Sequence, residues 1–136
     1  TVLLPYSGEE PTGWRYGICA RREWRDPEFL RSECVKKGQL TPHYHYVSRP
    51  PFTEAEAVRR AIYLAGQTDT PLYIAHMTCR EAIAELQKAK NWPAGFGETC
   101  THYLTTTKEV LDNPDFNEAA KFFAPPLCDR EDCEAL

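Results

Sequence analysis

The segment Leu72-Tyr-Ile-Ala-His-Met77 decides the fold of this 136-residue chain. It is a nearly continuous apolar run of strand length, which is typical of a parallel strand buried on both faces. Thr78-Cys-Arg-Glu81 follows directly and has the pattern of a capping box, which predicts the start of a helix. A buried strand that leads straight into a capped helix is the repeating unit of an α/β protein.

The helices on either side of this strand are predicted to be amphipathic. Thr53-Glu-Ala-Glu56 is another capping-box pattern, and Gly66 is expected to end the helix that it starts. Four apolar residues at i, i+3, i+4 and i+7 give this helix one buried face: Val58, Ala61, Ile62 and Ala65. After the strand, the apolar positions of the next helix are Ala82, Ile83, Leu86 and Ala89.

The remaining elements are shorter. Asp26 and Gly38 are expected to begin and end a helix, and a Pro-rich loop is expected from Leu40 to Phe52. Short strands are predicted at Tyr16–Cys19, Ala94–Gly97 and Lys121–Ala124, and a short helix at Thr107–Leu111. The order α-β-α-β-(α)-β from residue 53 predicts a parallel sheet with right-handed crossovers. Residues 1–26 are otherwise irregular.

Composition excludes several classes of protein. The chain has 16 basic and 20 acidic residues, with no basic stripe, so we expect no nucleic-acid partner. No apolar run approaches the ~18 residues of a membrane span, and the first residues do not resemble a signal peptide. The six cysteines include no Cys-x-x-Cys pair, which favours reduced thiols in the cytoplasm. The chain begins at Thr1 rather than at Met, and we expect it to be partial.

His76 is the foremost candidate for chemistry. It ends a buried strand just before a helix, and the carboxyl ends of parallel strands hold the sites of α/β proteins. A neutral imidazole there suits zinc, although a histidine satisfied by one hydrogen bond is an alternative. Since catalytic zinc takes about three protein ligands, His76 would need partners, and His102 could face the same side.

Other polar residues are weaker candidates. Cys100 and His102 resemble a thiolate–imidazole pair, but near-adjacent side chains rarely face each other and no orienting group is evident. Glu98 could serve as a general base or as a partner of a neighbouring helix cap. The acidic stretch Asp129–Asp132 is expected to be a solvated helix start. No residue is assigned as catalytic.

Five motifs in order resemble the dihydropyrimidinase and D-hydantoinase branch of the amidohydrolases. They are Tyr44-His-Tyr-Val-Ser-Arg-Pro-Pro51, Glu54-Ala-Glu-Ala57, Pro71-Leu-Tyr-Ile-Ala-His-Met-Thr-Cys79, Gly97-Glu-Thr-Cys100 with Tyr103-Leu104, and Ala124-Pro-Pro-Leu127. The resemblance spans residues 27–136. It implies that this range is an incomplete segment, about three βα units, of an amidohydrolase-type (β/α)8 TIM barrel.

The resemblance also implies a two-zinc site and hydrolytic ring opening of a small cyclic amide, a dihydropyrimidine or a hydantoin. His76 matches a zinc-binding histidine of the family, and Ala124 matches a position whose backbone holds the substrate amide. The family's other ligands have no counterpart here: Cys19 stands near the place of one histidine, and His43 and His45 do not match the family's zinc pair. We therefore expect this chain to be inactive alone.

Two alternatives stay open. Collapsin-response mediator proteins are non-catalytic relatives on the same scaffold, so the chain could belong to an interaction protein. It could also be an unrelated small α/β domain with a structural zinc on cysteines such as Cys128 and Cys133. If the chain is part of a hydrolase, we expect the protein to be a homo-oligomer.

Overall fold

The structure is a computed structural model that describes residues 2–3, 17–19, 25–89, 95–121 and 126–136, with side chains from Glu28 onward. Its strands are β1 (Val2–Leu3), β2 (Gly17–Cys19), β3 (Leu72–Ile74) and β4 (Gly95–Thr99). Its helices are α1 (Arg25–Lys36), α2 (His43–Val47), α3 (Pro51–Gln67), α4 (Arg80–Lys88), α5 (Thr101–Thr105), α6 (Phe116–Ala120) and α7 (Arg130–Ala135), with a 3-10 helix at Lys108–Asp112.

The described strands form a sheet in the order β1-β4-β3-β2. Strand β3 is parallel to both neighbours, with Leu72 opposite Gly17 in β2 and opposite Gly95 in β4. Helices separate these strands along the chain, so the predicted α/β fold with parallel strands is confirmed. Strand β1 differs, because Val2 pairs antiparallel with Thr99 at the edge of the sheet. A two-residue strand carries no periodicity that could have predicted this pairing.

Helices α3 and α4 pack together on β3. Val58 is fully buried, and the apolar positions predicted for the two helices lie in the same core, with Ile62 and Leu86 at its margin. Ala89 is the exception, because α4 ends at Lys88 and Ala89 lies outside this core. The core consists of Val58, Ala61, Ala65, Leu72, Ile74, Met77, Cys79, Ala82, Ile83 and Cys128. Local spacing of apolar residues was therefore sufficient to predict which helix faces are buried.

The start and end of α3 differ from the prediction. The helix begins at Pro51, because proline needs no helical N–H partner and its fixed φ suits the first turn. Thr53 consequently lies inside the helix, where its hydroxyl donates to the Pro50 carbonyl at 2.8 Å, so the predicted capping box is wrong. Gly66 also remains helical, and Asp69, with a positive φ of 48°, takes the left-handed turn instead.

Helix α4 is capped by another part of the chain. Its N-cap residue is Cys79, not Thr78, so the second predicted capping box is also wrong. The Arg80 N–H donates at 3.0 Å to the carboxylate of Asp132, at the start of α7. Asp132 is only 2 % exposed, which corrects the expectation that the whole acidic stretch is solvated, although a helix does start there with a capping box from Asp129 to Asp132.

The short polar helices were the least predictable. The expected loop at Leu40–Phe52 contains α2, which buries none of its residues and is joined to the 3-10 helix by a contact of 2.7 Å between His43 and Asp112. The helix expected at Thr107–Leu111 is the 3-10 helix. The predicted strand at Lys121–Ala124 is wrong at Lys121, which ends α6, and otherwise lies outside the described residues. None of the described helices is both long and apolar enough to cross a membrane.

Candidate functional site

His76 lies two residues beyond the last residue of β3, at the carboxyl end of the parallel strands. Its φ of 59° places it in the left-handed region, which non-glycine residues rarely adopt. Its side chain is 48 % exposed, whereas Met77 and Thr78 are each 1 % exposed. The chain therefore turns sharply as it leaves the sheet, with the imidazole at the surface and the next two residues in the core.

Hydrogen bonds hold the backbone on the far side of this turn. The Met77 N–H donates to the Glu98 carbonyl at 2.8 Å, and the Thr99 hydroxyl donates to the Met77 carbonyl at 2.7 Å. Residue Thr78 is bound in turn by the carboxylate of Glu54. Because these bonds fix the residues that follow His76, the surrounding structure can maintain its unfavourable conformation.

The imidazole has its partners on one side of the ring. Its Nδ1 atom lies 3.3 Å from Glu98 Oε1 and 3.5 Å from Cys100 Sγ. The Glu98 side chain is 13 % exposed, and its Oε2 atom accepts a hydrogen bond from the Tyr73 hydroxyl. This bond, followed by burial, raises the pKa of Tyr73 to about 12, so the hydroxyl remains a donor at neutral pH.

His102, the proposed companion of His76, lies in α5. Burial lowers its pKa, and so does the charge of His76, which is consistent with the expectation that the two histidines face the same region. The Cys100 thiol contacts His76 and not its near neighbour in sequence. The arrangement gives no support to a Cys100–His102 nucleophilic pair.

Glu98 makes contacts that sequence reasoning did not assign. Its carboxylate accepts a hydrogen bond from the Tyr73 hydroxyl and lies beside the His76 imidazole. These two contacts explain its position without a role as general base or helix cap. Tyr73 was overlooked, although a signal existed. In the parallel register Tyr73 is opposite Phe96, so Glu98, two residues further along β4, lies on the same face of the sheet.

The described residues around His76 can supply one ligand to a metal ion. In the ranges that the structure describes, no cluster of three or more His, Cys, Asp or Glu side chains could hold an ion. His76 nevertheless offers a half-exposed imidazole whose Nδ1 faces Glu98 and Cys100, which leaves Nε2 on the opposite side of the ring. Ala124 and the side chain of Cys19 lie outside the described residues.

The cysteines give no support to a shared structural zinc. The five described side chains, at positions 34, 79, 100, 128 and 133, form no disulfide. Cys128 Sγ lies 3.7 Å from the Thr78 hydroxyl, while Cys133 Sγ lies 3.8 Å from the Thr106 carbonyl. These two thiols therefore face different neighbours.

Comparison with known proteins decides the family. The chain is 44 % identical over 110 residues to the D-hydantoinase of Ralstonia pickettii, covering 80 % of this chain and 24 % of that protein. The chain belongs to the hydantoinase and dihydropyrimidinase branch of the amidohydrolases. A solved D-hydantoinase structure shares 44 % identity with it at a TM-score of 0.76, again over 80 % of this chain and 24 % of the other. No protein-family profile matches the chain.

A second solved member of this branch, the dihydropyrimidinase of Brevibacillus agri, is 36 % identical at a TM-score of 0.76 over the same shares of the two chains. The present chain thus spans about a quarter of the length of the relatives that it matches. The match agrees with the resemblance noted in the five motifs. The α/β arrangement with parallel strands is shared with these structures.

Proposed function

We propose that this chain is part of a zinc-dependent hydrolase that opens the ring of a cyclic amide, a hydantoin or a dihydropyrimidine, and that His76 is one of its metal ligands. The observation that carries the proposal is the placement of His76 at the carboxyl end of β3, with Nδ1 beside Glu98 and the ring half-exposed. Names of relatives support the substrate class, since they include D-hydantoinases and a dihydropyrimidinase.

Zinc, when bound, would lower the pKa of a water and polarise the amide carbonyl. The residues of this chain would hold the ion and position the ring. His76 would present Nε2 as a ligand, and the backbone of Ala124 would bind the substrate amide. The other ligands would come from the rest of the protein, so we expect the chain alone to be inactive.

The fold proposal follows from the same placement. Strands β2, β3 and β4 are consecutive in the chain and adjacent in the sheet, with helices in both connections. We infer that they are successive units of a (β/α)8 barrel, which needs about 250 residues in full. Residues 27–136 would form this part of the barrel together with β2, which lies within residues 1–26, where the motifs of the family are lost.

Association and location are proposed on independent grounds. Large apolar side chains are exposed on the described surface, among them Phe29 at 63 % and Tyr63 at 65 %. We propose that contacts with further copies of the protein cover some of these side chains in a homo-oligomer. The free thiols fit the reducing cytoplasm. Light scattering after size-exclusion chromatography tests the first point, and a monomer at micromolar concentration would contradict it.

A chimera tests the enzymatic proposal. The matching 110-residue segment of the Ralstonia pickettii D-hydantoinase is replaced by the segment of this chain, and zinc content and hydantoin hydrolysis are measured. We expect the chimera to keep both, and His76→Asn to lose at least one zinc per site and about 100-fold in turnover or more. His43→Asn, on helix α2 with its unburied residues, is the control that should keep both.

The same chimera distinguishes the alternatives. If the His76→Asn chimera keeps full zinc content and turnover, His76 is not a ligand and the proposal fails. If the unsubstituted chimera folds and binds zinc but hydrolyses neither hydantoin nor dihydrouracil, the non-catalytic scaffold is favoured instead.

A further inference from the structure

We propose that Glu98 and Tyr73 are positioning residues for His76: the Glu98 carboxylate holds the proton of the imidazole on Nδ1 and so keeps Nε2 available as a ligand. The inference deepens the proposed function, because presentation of Nε2 matters for the reaction only if His76 binds the metal. The position of the proton, however, is a property of this chain and can be measured without metal.

Of the two facing groups, only the His76 imidazole can donate a hydrogen bond. Glu98 Oε1 lies 3.3 Å from His76 Nδ1. An ionised carboxylate can only accept hydrogen bonds, and a neutral imidazole carries its single proton on one of its two nitrogens. The carboxylate therefore favours the tautomer with the proton on Nδ1, which leaves the lone pair on Nε2.

Tyr73 orients the Glu98 carboxylate. Tyr73 donates its hydroxyl proton to Glu98 Oε2, which leaves Oε1 to face His76. Both residues are on regular strands, β3 and β4, whose backbones are hydrogen-bonded to each other. The Tyr73 hydroxyl thus orients the Glu98 carboxylate, and the carboxylate orients the His76 ring.

Cys100 is the competing partner of the imidazole. Cys100 Sγ is 3.5 Å from the same Nδ1 atom, and a thiol is a weak donor that would favour the opposite tautomer. The Glu98 carboxylate, 3.3 Å from the same atom, carries a full negative charge, and a charged acceptor interacts more strongly with an N–H than a thiol does. Cys100 is therefore a contact of the ring that does not decide its tautomer, and it provides a matched control.

The test uses the chain labelled with ¹⁵N at its four histidines. Long-range ¹H–¹⁵N spectra near pH 8 without metal distinguish a protonated Nδ1 from a protonated Nε2, and His76→Asn identifies the signals of His76. We expect the unsubstituted chain to carry the proton mainly on Nδ1. Glu98→Gln should move the population toward the Nε2–H tautomer that free histidine prefers in water, and Tyr73→Phe should move it in the same direction by less.

Cys100→Ala should leave the tautomer unchanged. A proton mainly on Nε2 in the unsubstituted chain, or a shift with Cys100→Ala and none with Glu98→Gln, would overturn the proposal. If Glu98→Gln does not fold, Tyr73→Phe carries the test, because it removes only the hydroxyl; an unchanged tautomer there overturns the role of Tyr73.

Zinc binding to the chimera completes the test. Competition with a chelator should show roughly 10- to 100-fold weaker zinc affinity for Glu98→Gln and no change for Cys100→Ala. If the tautomer responds as expected while His76→Asn leaves zinc content intact, the proposed function fails and the positioning of the ring stands. If His76→Asn loses zinc while Glu98→Gln changes neither tautomer nor affinity, the positioning proposal fails alone.

Discussion

The carboxylate of Glu54, in the first turn of α3, binds both hydrogen-bond donors of Thr78, two residues after His76. It accepts from the Thr78 N–H at 2.7 Å and from its hydroxyl at 2.6 Å, and Glu54 is only 3 % exposed. The pair joins the start of one helix to the residue that precedes the N-cap of the next. It thereby fixes the residues that follow His76.

Thr78→Val should lower the free energy of unfolding by about 1–3 kcal/mol, because a buried carboxylate loses one of its donors while the shape of the side chain is kept. Urea denaturation followed by circular dichroism measures the change. Thr105→Val is the control, since Thr105 is exposed and its hydroxyl bond is 3.4 Å long. There we expect a change of no more than about 0.5 kcal/mol. Equal effects at the two positions would contradict the role of Glu54.

Glu85 is expected to make stability depend on pH in the acid range. The guanidinium of Arg59, at 2.8 and 2.9 Å, and then the ammonium of Lys88 lower the pKa of Glu85 to about 2. Since the folded-state pKa is depressed, its stabilising contribution is present above the unfolded pKa near 4.5 and is lost as pH falls toward 2.

Glu85→Gln should therefore cost about 1 kcal/mol at pH 7, a value discounted for solvent screening because Arg59 is largely exposed. Most of this cost should be lost near pH 2, where about half of the folded carboxyls are protonated. The measurement is urea unfolding across this pH range. Glu56→Gln, whose carboxylate pairs with Arg60 and is 53 % exposed against 10 % for Glu85, serves as the control with an expected change of about 0.5 kcal/mol or less. A cost of Glu85→Gln that does not depend on pH would refute the pairing.

Asp132 is expected to hold α7 against the start of α4. Its buried carboxylate accepts from the Arg80 N–H, and its negative charge lies at the N-terminus of α4, where the helix dipole favours it. Asp132→Ala should cost about 1–3 kcal/mol and should speed exchange of the Arg80 amide hydrogen. Glu131→Ala changes only an exposed partner of the Arg80 side chain and should leave both quantities nearly unchanged. Unaltered amide exchange in Asp132→Ala would exclude this cap.

The positive φ of His76, 59°, can be tested by comparing glycine and alanine at this position. Alanine carries the penalty of the left-handed region, about 1–2 kcal/mol, and glycine does not. His76→Gly should therefore be more stable than His76→Ala by about 1 kcal/mol, although both lose the imidazole. Thermal unfolding of the two variants measures the difference. At Val58, inside α3, the same pair of substitutions should give the opposite order, with alanine more stable by about 1 kcal/mol.

The thiols should separate into two classes of reactivity. Cys79, Cys128 and Cys133 are buried, and burial raises the pKa of Cys133, so these thiols should react with a maleimide only when the chain unfolds. Cys34 and Cys100 are partly exposed and should react in the folded protein. Mass spectrometry of the native and urea-treated chain identifies the modified residues. Rapid native labelling of Cys79 would be inconsistent with the packing of α3 on α4.

Several features could be predicted from local sequence. The apolar spacing of Val58, Ala61 and Ala65 indicated the buried face of α3, and the apolar run from Leu72 indicated β3. Helix boundaries were predicted less well. Helix α3 begins at Pro51 and not after Thr53, because proline fits in a first turn without losing a hydrogen bond. The cap of α4 came from Asp132, 52 residues away from Arg80, which no local pattern reveals.

The sequence by itself determined the order α3-β3-α4-β4, the buried faces of α3 and α4, and the position of His76 at a strand end. These depend on the periodicity of neighbouring residues and on motifs that the family shares. Only the tertiary structure decided what surrounds His76. Its contacts with Glu98 and Cys100, the bond from Tyr73 to Glu98 and the bond from Thr78 to Glu54 each join residues 22–25 positions apart, and such pairs meet only when β3, β4 and α3 pack together.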